Sequence, residues 1–139
     1  MNIYGFTTDK YEKGVQIQSK IVPVIKKVLN QDIKESSSPT SKYDCYNDNY
    51  LIEIKSRNLR SIDYDLWMCN SEKFHYKDDN KKILLFYYFV GDNRLFYIEY
   101  DIKKFSTYKL RFIYGKNQYL IPSKDFIEVF NHHVILSNE

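Results

Sequence analysis

No run in this chain approaches the roughly 18 to 20 consecutive apolar residues needed to span a bilayer, so no membrane-crossing helix is expected. Cysteine is scarce: Cys45 and Cys69 are the only two thiols among 139 residues. Two thiols give no disulfide framework, and the absence of Cys and His at metal-ligand spacing argues against zinc. No apolar segment with a cleavage site opens the chain at Met1-Asn2-Ile3-Tyr4, which points to an intracellular protein whose thiols stay reduced as small core groups. Neither sign of charge is in excess: 21 Lys and Arg against 18 Asp and Glu leave +3. That rules out a polybasic arm held to nucleic acid by charge alone. Repeats, low-complexity tracts and internal linkers are also missing. What remains is 43% hydrophobic and 17% aromatic, too apolar for disorder and the right length for one soluble domain over residues 1–139.

Apolar residues at Tyr11, Val15, Val22, Ile25 and Leu29 fall in one arc at about 100° per residue, predicting an amphipathic helix over 9–30. Pro23 inside it predicts a kink or break. The Ser-rich stretch that follows reads as a loop with room for a short strand at its start. Residues 62–78 have a mixed pattern that fits a helix better than a strand, although 64–69 could extend a sheet. Beyond residue 80 the pattern is strand-like: 82–90 apolar on both faces, as in a central strand, then 94–102, 108–114 and 118–121, with turns at Gly91-Asp92-Asn93 and Gly115-Lys116-Asn117. Residues 123–130 suggest a short closing helix, and His132-His133 belong to a last strand or tail.

The segment Lys42 to Arg57, KYDCYNDNYLIEIKSR, carries the chemistry. Its Asn47-Asp48-Asn49 predicts a hairpin turn. A two-residue loop at Asp48-Asn49 sets Asp44 directly opposite Glu53, with Cβ atoms about 4.5 to 5.5 Å apart. Alternation then adds Lys55 and Arg57 to that face and leaves Tyr43, Cys45, Ile52 and Ile54 on the other. The acid-x-Lys triplets at Asp32-Ile33-Lys34 and Asp101-Ile102-Lys103 lack this geometry. The first has no upstream acid at comparable spacing, and the second would need a turn inside an apolar run, so it reads as a solvated strand end. Two opposed carboxylates repel unless a cation lies between them. Carboxylate oxygen is the hard ligand Mg²⁺ prefers, usually beside waters and a substrate phosphate. A phosphodiester is then the natural substrate, with Asp44 and Glu53 as metal ligands and Lys55 stabilising the developing charge.

In these residues, Tyr43-Asp44 and Leu51-Ile52-Glu53-Ile54-Lys55-Ser56-Arg57, the chain resembles the PD-(D/E)XK nuclease superfamily. Its core is an N-terminal helix, strands bearing an Asp and then a Glu-x-Lys, and a further helix and strand. The likeness covers roughly residues 9–90, although no proline precedes Asp44. The resemblance implies a restriction-endonuclease-like α/β fold, with a mixed, mostly antiparallel sheet, the Asp44–Arg57 hairpin at its centre and one helix on each side. It further implies a metal-ligating Glu on the first helix, for which Glu12 is the candidate and Gln16 the substitute, and a basic residue against the DNA backbone, matched by Lys73.

Arg57 shares a face with the acids, and with Arg60 and the lysines of the first helix it is a candidate for phosphate contact. The expectation is therefore a Mg²⁺-dependent endonuclease acting on DNA, with Mn²⁺ as an alternative ion and RNA meeting the same chemistry. Cleavage of both strands would require a homodimer, whose interface would draw on the tyrosine-rich strands. The competing expectation is a catalytically inactive nucleic-acid- or protein-binding module on the same scaffold. A third is a β-rich interaction protein.

Overall fold

A computed structural model describes residues 8–37, 42–76 and 80–130, with the side chains of 16–37, 42–74 and 80–130. Helix α1 (Thr8–Leu29) leads into β1 (Lys34–Glu35), β2 (Cys45–Tyr46) and β3 (Tyr50–Arg57). Strand β4 (Leu66–Asn70) lies between two 3₁₀ turns, Ser61–Asp63 and Ser71–Tyr76. Then come β5 (Lys82–Phe89), β6 (Arg94–Glu99), the single-turn helix α2 (Ile102–Phe105), β7 (Lys109–Ile113), β8 (Lys116–Pro122), a 3₁₀ turn at Ser123–Asp125, and β9 (Ile127–Val129).

Six strands form a central sheet in the order β1-β2-β3-β5-β6-β9, and a second sheet has the order β4-β8-β7. Only the β3–β5 pair is parallel. Residues 83–89 of β5 are all buried, as a strand packed on both faces requires. On one face, Leu84, Phe86 and Tyr88 join Cys45, Ile52 and Leu95 against Ile17, Ile21, Val22 and Ile25 of α1. On the other face, Ile83, Leu85, Tyr87 and Phe89 meet Trp67, Cys69 and Ile121 of the second sheet. Trp67 is the hub there, its ring centre 4.6 Å from those of Phe89 and Phe126 and 5.0 Å from that of Phe96. The layers are thus helix, sheet, sheet.

The mixed α/β class and mostly antiparallel central sheet agree with the sequence reading. The second flanking helix does not: residues 62–78, read as helical, supply β4 and two 3₁₀ turns. Alternate burial of Trp67 and Cys69 with Met68 between them is a two-residue period that β8 can pair. Residues 123–130 form a 3₁₀ turn and β9 rather than a closing helix. Asp101 is the N-cap of α2 rather than a strand end, its carboxylate accepting from the N–H groups of Lys103 and Lys104.

Helix α1 runs unbroken through Pro23, which is exposed, while Ile21, Val22 and Ile25 around it are anchored in the core. The helix ends at Asn30, with φ 53°. The N–H of Gln31 donates to Lys26 O and that of Asn30 to Lys27 O, so the last carbonyls are satisfied by a left-handed cap. The Gln31 carboxamide oxygen then accepts from the side chains of both Asn47 and Asn49, tying the helix end to the hairpin turn. Tyr87 and Tyr88 are fully buried, so the tyrosines of β5 offer no surface for a second copy. No helix among the described residues is long and apolar enough to cross a membrane.

Candidate active site

The turn predicted at Asp48-Asn49 is present. Asn47 N–H donates to Tyr50 O at 3.0 Å, and the Asn47 carboxamide oxygen accepts from the N–H groups of Asn49 and Tyr50 at 2.8 Å. Cys45 pairs with Ile52 and Tyr46 with Leu51, the register the loop demands. The ladder changes at Asp44, whose N–H donates to Ile52 O at 2.9 Å while its carboxylate Oδ2 accepts the Ile54 N–H at 2.7 Å. A side chain therefore takes over the β3 donor that a backbone carbonyl would have held. Tyr43 consequently leaves the face of Cys45. It packs among Leu51, Phe74 and Leu85 on the opposite side, a correction to simple alternation.

Glu53 is 5% exposed and lies against the Asp44 carboxyl, with which it shares a hydrogen bond. Its Oε2 is 2.6 Å from the Lys73 ammonium and 3.6 Å from that of Lys55. Lys73 also donates to Lys42 O at 2.7 Å, and Tyr43 Oη donates to Lys73 O at 2.9 Å. Burial pushes the Asp44 pKa up to about 7, helped by the adjoining Glu53 carboxylate and opposed by the Ile54 N–H and Lys55. Burial acts the same way on Glu53. There the hydrogen bond from Asp44 and the two ammonium groups outweigh it, leaving the group below its ordinary value. Below about pH 7 the pair therefore retains a proton, which burial and the neighbouring ammonium groups place toward Asp44.

Lys55 and Arg57 share the Glu53 face, with the Arg57 guanidinium 5.9 Å from the centre of the Tyr87 ring. Arg60 lies beyond β3 and is paired with Asp63 at 3.1 Å. Lys73, matched in sequence to a DNA-backbone contact, sits inside the acid pair's hydrogen-bonding network. Nothing in the spacing announces this, since it depends on β4 leaving the central sheet. Glu12 lies on α1, which packs on the face opposite Glu53, and its side chain is outside the described residues. Gln16 is exposed on the same helix. His132 and His133 also fall outside the described residues. Cys45 and Cys69 are buried free thiols.

Two carboxyls sharing a proton are a donor set in which a divalent cation can replace that proton. Among the described residues no cluster of three or more His, Cys, Asp or Glu is positioned to hold a metal. Asp44 and Glu53 alone suit an ion that keeps water and substrate oxygens in its other positions, as Mg²⁺ does. No protein family, curated protein or solved structure matches this chain.

Proposed function

We propose that this chain is a metal-dependent endonuclease that hydrolyses DNA phosphodiester bonds. The observation that carries the reading is the buried Asp44–Glu53 carboxyl pair with Lys55 beside it. The order of elements supports it too: a helix, a hairpin bearing the Asp and the Glu-x-Lys, and a later strand parallel to the second hairpin strand. That order resembles a restriction-endonuclease-like core and departs from it in having β4 where that core has a helix.

Asp44 and Glu53 would hold Mg²⁺ or Mn²⁺, and the bound ion would acidify a water and offset charge on the scissile phosphate. The chain's own groups do the rest. Lys73 and Tyr43 fix Glu53 in one orientation, the Ile54 N–H fixes Asp44, and Lys55, more exposed than Lys73, stabilises charge on the phosphate. Duplex cleavage would call for two copies.

The test is cleavage of labelled duplex, single-stranded, flap and four-way-junction DNA in Mg²⁺, Mn²⁺ or EDTA. Metal-dependent cutting should fall at least 100-fold in Glu53→Gln and Lys55→Met. Absence of cutting on every substrate, with DNA binding intact in both variants, would instead favour an inactive binding module. The 2.6 Å Lys73–Glu53 ion pair, which neutralises Glu53 without a metal, is the feature such a module would use.

A further inference from the structure

On the Glu53 side of the central sheet, at the far end of β3 from the acid pair, lies a cleft of about 620 Å³ bounded by the end of β3, β4 and the β7–β8 hairpin. Arg57, Arg60 and Arg111 line it among mostly apolar side chains, including Leu59, Leu66, Phe89 and Ile113, and no carboxylate does among the described residues. Asp63 engages Arg60. Arg57 is seated on the buried Tyr87 ring, which is itself fixed by its hydroxyl donating to Met68 O at 2.6 Å.

At the rim stand two exposed rings, Tyr64 at 60% and Tyr114 at 85%. Tyr114 and Gly115 form the two-residue loop between β7 and β8, with φ of 54° and 77°. Both loop positions of such a turn favour Asn or Gly, and a bulky ring there is strained. That strain is not offset by burial, because Tyr114 faces solvent. A strained, solvent-facing ring at the mouth of an apolar cleft that carries three arginines points to a ligand.

We propose that this cleft binds unpaired nucleotides of the DNA strand that runs through the active site, with Tyr114 and Tyr64 stacking on bases and Arg57, Arg60 and Arg111 holding phosphates. The inference rests on the nuclease reading and extends it to substrate shape. Arg57 is two residues beyond Lys55 on one strand face, about 6.6 Å along β3, so a backbone touching Lys55 continues onto Arg57 and into the cleft. The lining joins the two elements of single-strand sites, a positive groove and aromatic platforms. A duplex keeps its bases stacked within the helix and gives these rings nothing to cover.

Fluorescence anisotropy in EDTA reads binding without cleavage. The probes are labelled dT12, a blunt 12-base-pair duplex, and polyglutamate as competitor. Wild type should prefer dT12 by tenfold or more. Tyr114→Asn relieves the turn, so thermal melting should show it at least as stable as wild type, yet it should bind dT12 about 5- to 100-fold more weakly. Arg111→Gln should lower the salt slope of log K by about 0.7. Equal affinity for duplex and dT12 with no effect of Tyr114→Asn would overturn the proposal, as would displacement of dT12 by polyglutamate at equal charge. DNA cutting combined with unchanged Tyr114→Asn binding would sink the cleft and leave the nuclease standing. The expected binding pattern without cutting of any substrate would support the cleft and sink the nuclease.

Discussion

Replacing Asp44 with Asn should make the protein more stable at alkaline pH. In the unfolded chain the Asp44 carboxyl ionises near its ordinary 3.8, whereas in the fold it stays protonated up to about 7. Between those values the folded state holds a proton that the unfolded state lacks. Stability then falls as pH rises, by about 1.4 kcal/mol for each pH unit. Above pH 7 the accumulated cost reaches about 4 kcal/mol. Glu53 has the opposite sign, its lowered pKa adding stability above its unfolded value that is lost as pH falls through the folded one. The pair alone therefore gives a maximum near the acid end of the window. Asparagine keeps both bonds, its oxygen accepting from Ile54 N–H and its amide donating to Glu53, but carries no charge to bury. Urea unfolding of wild type and Asp44→Asn at pH 5, 6, 7 and 8 should show the variants diverging with pH, Asp44→Asn ahead by up to about 4 kcal/mol at pH 8. Saturating Mg²⁺ should recover about 2.7 kcal/mol in wild type at a hundred times its Kd, and nothing in Asp44→Asn. A wild-type stability that is flat from pH 4.5 to 7, with Asp44→Asn neutral or harmful at pH 8, would refute the shared-proton description.

Two further substitutions probe the supports of the site. Lys73→Met leaves the buried Glu53 with the Asp44 hydrogen bond and the 3.6 Å Lys55 contact but no close ammonium, and should cost about 3 kcal/mol at pH 8. The loss should shrink as pH falls and Glu53 takes up a proton, so a pH-independent effect in urea melts would count against the ion pair. Gly91→Ala would set a Cβ 2.8 Å from Arg60 Cγ and 2.9 Å from the backbone of Leu59 and Arg60. Thermal unfolding should register a loss of about 1 to 3 kcal/mol, and an unchanged melting temperature would mean that the segment after β3 is looser than its bonds to Val90 and Gly91 imply.

The hairpin was legible because its register depends only on local chemistry: Asn47 closes the loop with its own side chain, and every later pairing follows. The same holds for β5, whose unbroken apolar run has no other home than a sheet interior. Beyond the local range the reading falters for identifiable reasons. The pattern of Leu66 to Asn70 is too short to separate strand from helix, and its partner β8 lies some fifty residues downstream. Asp44 bonding to Ile54 N–H sends Tyr43 to the other face, which no alternation rule anticipates. Lys73 reaches Glu53 only because β4 belongs to the second sheet, so its part in the site is a tertiary fact. Tyr114 was read as the end of a strand because Tyr favours sheets, whereas Gly115 after it draws the turn one residue earlier than Gly115-Lys116-Asn117.

The crossover from β3 to β5 has a consequence for the order in which the protein is made. Its strand β4 has no partner until β8 exists, and Ser71 Oγ, at the start of the turn that carries Lys73, donates to Asn117 O at 2.8 Å. During synthesis from the N-terminus, Asp44 and Glu53 emerge early and can meet across their hairpin. The turn that carries the lysine clamping Glu53 gains its bond to β8 only after Asn117 has emerged. A nascent or C-terminally shortened chain thus lacks the second-sheet contacts that hold this turn in place, and the finished site appears only when that sheet has closed.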